Sequence, residues 1–346
     1  MKLIYLDLNV FDQIEKIERL NYQEAEPYQL ILDSLQSGTL TTVYTNAHIS
    51  DLIRAYKSPS GDTTQLEGHL QHISTLTNNN FMCLYGQQSE TKLERKDVFE
   101  VFNSSLEDSL KPQETSFSGL IDSITSDVDL ELVDAILNKT IESMTTLVTQ
   151  AFPDDFMKAF EFPLYQKMFP ITYSSGDMKN MFDDLLTLNT RIGQDPEMYR
   201  DLKRMMNPDN FNEFAKMLPP GQTIDKKELK KSLKKYDIDS MLETYAPDGK
   251  TSDHPWYDKI TNLYSKIDFK GFKTDKDFDN MIDDSNHTFY GSHCYFFITE
   301  DTRCHYKATE VYKQLNIPTK VFTPKEFLQY VKSLQSSADG ALDPLP

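Results

Sequence analysis

Across 346 residues, 36 lysines and arginines stand against 54 aspartates and glutamates, and the net charge of −18 excludes a surface that embraces nucleic acid as a whole. Hydrophobic residues make up 38%, enough for a core, and the length favours two domains or one domain with a large insertion. Three cysteines (Cys83, Cys294, Cys304) without a C-x-x-C spacing exclude a disulfide framework and a four-cysteine zinc site. The opening run is broken by Asp7 and lacks a small-residue cleavage site, so it reads as a strand and not as a secretion signal. No window reaches the ~18 uncharged apolar residues of a membrane span. A soluble protein of a reducing compartment, the cytoplasm, is expected, with no membrane partner.

Leu3, Ile4, Tyr5 and Leu6 form a short run apolar on both faces, the mark of a central parallel strand covered by helices on each side. Residues 10–20 and 23–37 read as helices, the second with a stripe of Tyr28, Leu30, Ile31 and Leu35 and a stop at Gly38. Thr41 to Thr45 is a second strand. Asn46 is placed to cap a helix carrying Ile49, Leu52, Ile53 and Tyr56. After a polar loop and another helix, residues 81–85 form a third strand.

Residues 86–275 show helical periods and almost no strand signal, clearest over 129–152, and read as a helical insertion domain. The α/β rhythm then resumes. A helix at 277–290 leads to a strand from Cys294 to Thr299, a helix at 304–315, a strand at 318–322 and a last helix to about 335. Residues 336–346 are expected to be a disordered tail. Strands alternating with helices predict an α/β fold with a parallel central sheet, its halves (1–85 and 276–335) supplied by the two ends of the chain.

Four acids share one topological feature. Asp7 and Asp301 follow the carboxyl ends of strands, where ligands of open α/β sheets bind. Asp51 lies early in the helix after the second strand, and Asp284 lies in the helix before the strand at 294–299. Gathered on one edge, these carboxylates would repel one another and have raised pKa values. A divalent cation resolves that repulsion, and oxygen ligands suit Mg²⁺ or Mn²⁺ better than zinc.

The strand-Asp7-x-Asn9 pattern, the acid in Asn46-Ala-His-Ile-Ser-Asp51, Asp284-x-x-His287-x-x-Tyr290 and the strand ending Thr299-Glu300-Asp301 together resemble the PIN domain nucleases. The resemblance covers about residues 1–85 and 276–330. The chain departs from the family in having Asp51 where Glu is usual and Gly291 where a small helical residue such as alanine is usual. The resemblance implies a metal-dependent endoribonuclease with Mg²⁺ or Mn²⁺ as cofactor and RNA as substrate, acting through two ions about 3.5–4 Å apart. It implies Asp7, Asp284 and Asp301 as metal ligands, Asp51 as a further catalytic acid, and Asn9, His287 and Thr299 as supporting groups. A toxin or defence role is an associated expectation.

Other readings stand beside these. Asp7 could cap the following helix, Asp51 could be a solvated helix residue, and His287 fits an orienting or packing role better than a ligand's. Lys226, Lys227, Lys230, Lys231, Lys234 and Lys235 share neighbouring helical rows, forming either a phosphate track from the insertion or a solvated face. A non-catalytic interaction protein built on a PIN-like core is the alternative, with the insertion binding a regulatory partner or a second copy. A phosphatase of the haloacid-dehalogenase type is disfavoured because Asn9 stands where that chemistry wants a second aspartate.

Overall fold

The computed structural model describes residues 2–57, 65–85, 90–110, 191–206, 256–269, 273, 275 and 277–338. The chain divides into two compact units. The first comprises Met1–Leu110, Leu242–Asp275 and Asn280–Pro346, and the second Lys111–Met241 with Lys276–Asp279.

In the first unit a four-stranded sheet has the order β2-β1-β6-β7, built from β1 (Lys2–Leu6), β2 (Leu40–Thr42), β6 (Phe296–Ile298) and β7 (Lys320–Phe322). Every pairing in it is parallel, with Leu6 opposite Ile298 and Ile4 opposite Thr42. Beyond Lys2 at the start of β1 both central strands are apolar, and Ile4, Tyr5, Leu6, Phe296, Phe297 and Ile298 are all buried, as a sheet covered on both faces requires. The core that covers them draws Phe11 from α1 (Leu8–Glu15), Ile31 from α2 (Tyr22–Gln36), Leu52 from α3 (Asn46–Lys57), Ile73 from α4 (Leu66–Thr77) and Phe327 from α10 (Pro324–Ala338). Gly38 ends α2 at φ +73°, a left-handed conformation that costs glycine nothing.

The run Thr41 to Thr45, read as one strand, is two. Leu40–Thr42 pairs with β1, whereas β3 (Tyr44–Thr45) pairs parallel with β4 (Asn80–Tyr85) in a second sheet, which β5 (Glu90–Arg95) completes in the order β3-β4-β5. A β-rich run records strand propensity and carries no mark of a change of partner at Val43.

A second correction concerns β5 (Glu90–Arg95), which lies in the stretch read as helical and pairs antiparallel with β4. Leu93 is its single apolar residue and is exposed, so no alternation betrays it. Pairing with β4 and ion pairs of Glu94 to Lys92 and Lys96 hold it. α5 (Val98–Leu110) then packs on α3 and α4, and α7 (Trp256–Phe269) packs on α9 (Thr302–Gln314). The first unit therefore runs to Leu110 and takes up α7, where the sequence reading drew its limits at 85 and 276.

α8 (Phe278–Gly291) fits the expected helix, and its last residue has a packing reason. A Cβ on Gly291 would lie 2.8 Å from Tyr312 Oη and 2.9 Å from Phe297 Cγ, so only glycine lets α8 approach α9 and β6 so closely. α10 continues through Ala338, which makes residues 336–338 helical where a tail was expected, and 339–346 lie outside the described residues. In the second unit α6 (Pro196–Met206) buries Met198 and Tyr199. The helical period at 129–152 and the lysines from Lys226 to Lys235 lie outside the described residues. No helix among the described residues is long and apolar enough to cross a membrane.

Candidate functional site

Because β1 and β6 are neighbours and parallel, the residues that follow them emerge together. Asp7 N donates to the Ile298 carbonyl at 2.9 Å, joining the two strand ends directly. Asp7 is buried. Its Oδ1 accepts from Leu8 N at 2.7 Å, capping α1, and its Oδ2 accepts from the Thr299 hydroxyl at 2.7 Å. The same Thr299 oxygen accepts from Asp301 N at 3.1 Å, so one hydroxyl ties both strand ends. Asp301 caps α9 through Oδ1, which accepts from Arg303 N at 2.6 Å and Cys304 N at 3.1 Å. Capping and lining a site are thus not alternatives here, since Asp7 and Asp301 do both.

Asp51 and Asp284 complete the expected quartet. All four line one pocket of about 380 Å³, together with Asn9, Arg54, Asp275 and Arg303. Asp284 Oδ2 accepts from the Tyr264 hydroxyl at 3.2 Å, while the neighbouring Asp283 pairs with Arg54. Burial, then the charges of Asp275, Asp7 and Asp301, push the Asp284 carboxyl well above the usual range. Burial likewise raises Asp7, against the opposing charge of His287. Carboxyls so placed resist ionisation until a positive charge joins them. Carboxylate oxygens are the donors that a hard divalent cation takes.

Asp51 differs. Its Oδ2 lies 2.8 Å from His287 Nε2 and its Oδ1 2.7 Å from Arg54 Nη2. Burial opposes its ionisation, but the hydrogen bond and charge of His287, with Arg54, outweigh it and hold the carboxyl below its ordinary value. Donor atoms of Asp7, Asp51 and His287 all lie within 4.8 Å of one another, the tightest group at the pocket among the described residues. With His287 committed to Asp51, Asp7 is the member of that group left for a cation.

His287 sits three residues beyond Asp284 on α8 and is buried. Its Nδ1 meets the Tyr5 hydroxyl at 2.8 Å, and Tyr5 meets Thr45 Oγ1 at 3.0 Å. Behind them His48 Nδ1 accepts from Thr45 N at 3.0 Å, so its Nε2 carries the proton given to the Leu6 carbonyl at 2.7 Å. Burial and the charge of His287 push His48 down to about 3, which keeps it neutral. For His287, burial is overcome by the Asp51 hydrogen bond and by the charges of Asp51, Asp7 and Asp284, and its pKa rises to about 9.

A pH dependence follows. A histidine raised from 6.5 to about 9 by folding contributes stability that is complete below 6.5 and lost as pH rises through 9. Thermal denaturation should therefore show the melting temperature falling over that window, and the fall should shrink in His287→Gln. His287→Ala, which leaves Asp51 without its buried counter-charge, is expected to lose about 3–5 kcal/mol in denaturant unfolding. A pH profile unchanged by His287→Gln would refute the ion pair.

Sequence reasoning missed Asp275, Arg303 and the buried group behind the pocket. Lys307 Nζ donates to Asp268 Oδ1 at 2.9 Å and to Asp275, and all three residues are buried. The available signal was a lysine on the apolar stripe of α9 between Cys304 and Val311. Comparison of the chain with family models, curated proteins and solved structures returns no match.

Proposed function

We propose that this chain is a metal-dependent phosphodiester hydrolase, an endoribonuclease on a PIN-like core. One observation carries the reading: acids from opposite ends of the sequence, Asp7 with Asp284 and Asp301, line a single pocket at the carboxyl edge of a parallel sheet. Asp7, Asp284 and Asp301 would hold Mg²⁺ or Mn²⁺. Bound there, the ion would acidify a water and offset charge on the scissile phosphate.

The chain's own groups divide the remaining work. Thr299 orients Asp7 and joins it to the Asp301 turn. Asp51 balances the His287 imidazolium. Two arginines line the pocket, but Arg54 is held by Asp51 and Asp283, whereas the Arg303 side chain makes no ion pair among the described residues. Arg303 is therefore the cation available to a substrate phosphate. Arg303→Ala should weaken RNA binding measured by fluorescence anisotropy in Ca²⁺ and lower the salt-dependence slope by about 1. An unchanged slope would remove it from the contact. The lysine run Lys226 to Lys235 is a further candidate for gripping phosphates.

The direct test is cleavage of single-stranded RNA by the purified chain with Mn²⁺ or Mg²⁺, abolished by EDTA. A second reading, a non-catalytic interaction protein, draws on Asp51, whose charge is already neutralised by His287 and Arg54. Intact RNA and DNA after incubation with Mn²⁺ would favour it.

A further inference from the structure

β5 is the last strand of the β3-β4-β5 sheet, and among the described residues no strand pairs with its outer edge. A strand in an antiparallel ladder points its backbone groups alternately to either side. Lys96 N donates to the Asn79 carbonyl at 3.0 Å, one step beyond the pairing of Asn80 with Arg95, so 79 and 96 form a hydrogen-bonded pair. By the same alternation Glu94 and Lys92 direct their N–H and C=O groups at Phe81 and Cys83 of β4. Thr91, Leu93 and Arg95 therefore aim theirs outward. Such a row is a template for another strand. Leu93, the exposed apolar residue of β5, stands at its middle.

The side chains specify what fits there. Two copies related by a two-fold axis pair antiparallel, and hydrogen bonds form only where outward residues of both stand opposite each other. With Leu93 opposite Leu93, Thr91 meets Arg95, and Lys92 of each copy stands opposite Glu94 of the other. Sliding by two residues, the smallest step that keeps the outward groups matched, sets Lys92 against Lys92 or Glu94 against Glu94. Like charges directly opposed destabilise a sheet, and opposite charges stabilise it. One register is thus favoured and its neighbours are rejected. Lysines on an edge also guard against pairing, but here Lys92 meets a glutamate in the matching position. Lys92 and Glu94 share one face of β5 and pair with each other at 3.0 Å, so both already lie where the contact needs them.

We propose that β5 is the interface of a homodimer, in which two copies of this chain pair antiparallel about a two-fold axis at Leu93. Their sheets join into one of order β3-β4-β5-β5-β4-β3. The contact is a strand addition, and each exposed Leu93 gains an apolar neighbour in its counterpart. A contact one strand wide is smaller than a standard interface, so association is expected at micromolar rather than nanomolar concentration. The dimer does not depend on the nuclease reading.

The test is sedimentation equilibrium of the full chain in about 0.15 M salt, where a Debye length of about 8 Å screens the net charge of −18 but not pairs in direct contact. Wild type should show a monomer–dimer equilibrium. Lys92→Glu puts a carboxylate opposite Glu94, and Glu94→Lys puts an ammonium opposite Lys92. Each alone should raise the dissociation constant about tenfold or more, because the two-fold axis repeats the repulsion. An equal mixture of the two variants should dimerise again, since each supplies the charge that the other lacks. Mixing could not repair a folding defect. A wild type that stays monomeric would leave the edge to an extended segment of another protein and overturn the homodimer. A dimer that both single variants keep unchanged, or that mixing fails to restore, would overturn it too.

Discussion

Asp7→Asn is expected to reduce Mn²⁺-stimulated RNA cleavage by about 10³-fold or more, equivalent to about 4 kcal/mol of transition-state stabilisation. The substitution removes charge and little else. An asparagine oxygen can still accept from Leu8 N, and asparagine caps helices as well as aspartate does. Asp301→Asn should behave alike, because its cap on Arg303 N and Cys304 N also survives. Folding controls by circular dichroism should therefore match wild type. Asp51→Asn should act differently, mainly on stability, since that charge answers His287 and Arg54. If both Asp7→Asn and Asp301→Asn lose less than tenfold activity, neither carboxylate is a metal ligand and the hydrolase reading falls.

The second large effect runs against intuition. Asp284→Asn should stabilise the metal-free protein while disabling it. A carboxyl whose folded pKa is raised destabilises the fold once pH exceeds its ordinary value of 3.8, because ionisation is harder in the folded state. Asparagine never ionises and can still accept from the Tyr264 hydroxyl. In EDTA at neutral pH its melting temperature should rise by roughly 2–4 °C for each kcal/mol relieved. The gain should shrink in acid, where Asp284 is itself protonated. Adding Mn²⁺ should raise the wild-type melting temperature by mass action and the variant's by less. A variant that melts lower than wild type in EDTA, or gains as much from Mn²⁺, would contradict the picture of a charge-crowded cation site. Such opposition of stability and activity is expected wherever like charges are gathered for function.

The legible part of the fold rests on short-range signals. Leu3 to Leu6 and Phe296 to Ile298 announce buried strands because a central parallel strand has no solvent face to pattern. Asp7 and Asp301 stand out because each ends such a run, and the carboxyl edge is where parallel sheets present ligands. Other features left no local trace. β5 has alternating charges and one exposed leucine, and is a strand because β4 offers it a partner. Val43 separates two strands of different sheets, though its neighbours are equally β-prone. Asp283 and Asp284 are indistinguishable in composition. Only their positions on α8 send one to Arg54 and the other to Tyr264.

The amino-acid order alone determined the class of the molecule, the edge on which its chemistry could lie and the residue types available there, because hydrophobic period and strand-ending acids are properties of neighbours in sequence. Tertiary structure decided how charges are matched: that His287 answers Asp51, that Lys307 lies buried between Asp268 and Asp275, and that of the two arginines lining the pocket Arg54 is ion-paired while Arg303 makes no ion pair among the described residues. Those outcomes depend on distances between residues far apart in the chain and on how much water each has lost. Coulomb energies vary with both, and neither is encoded locally.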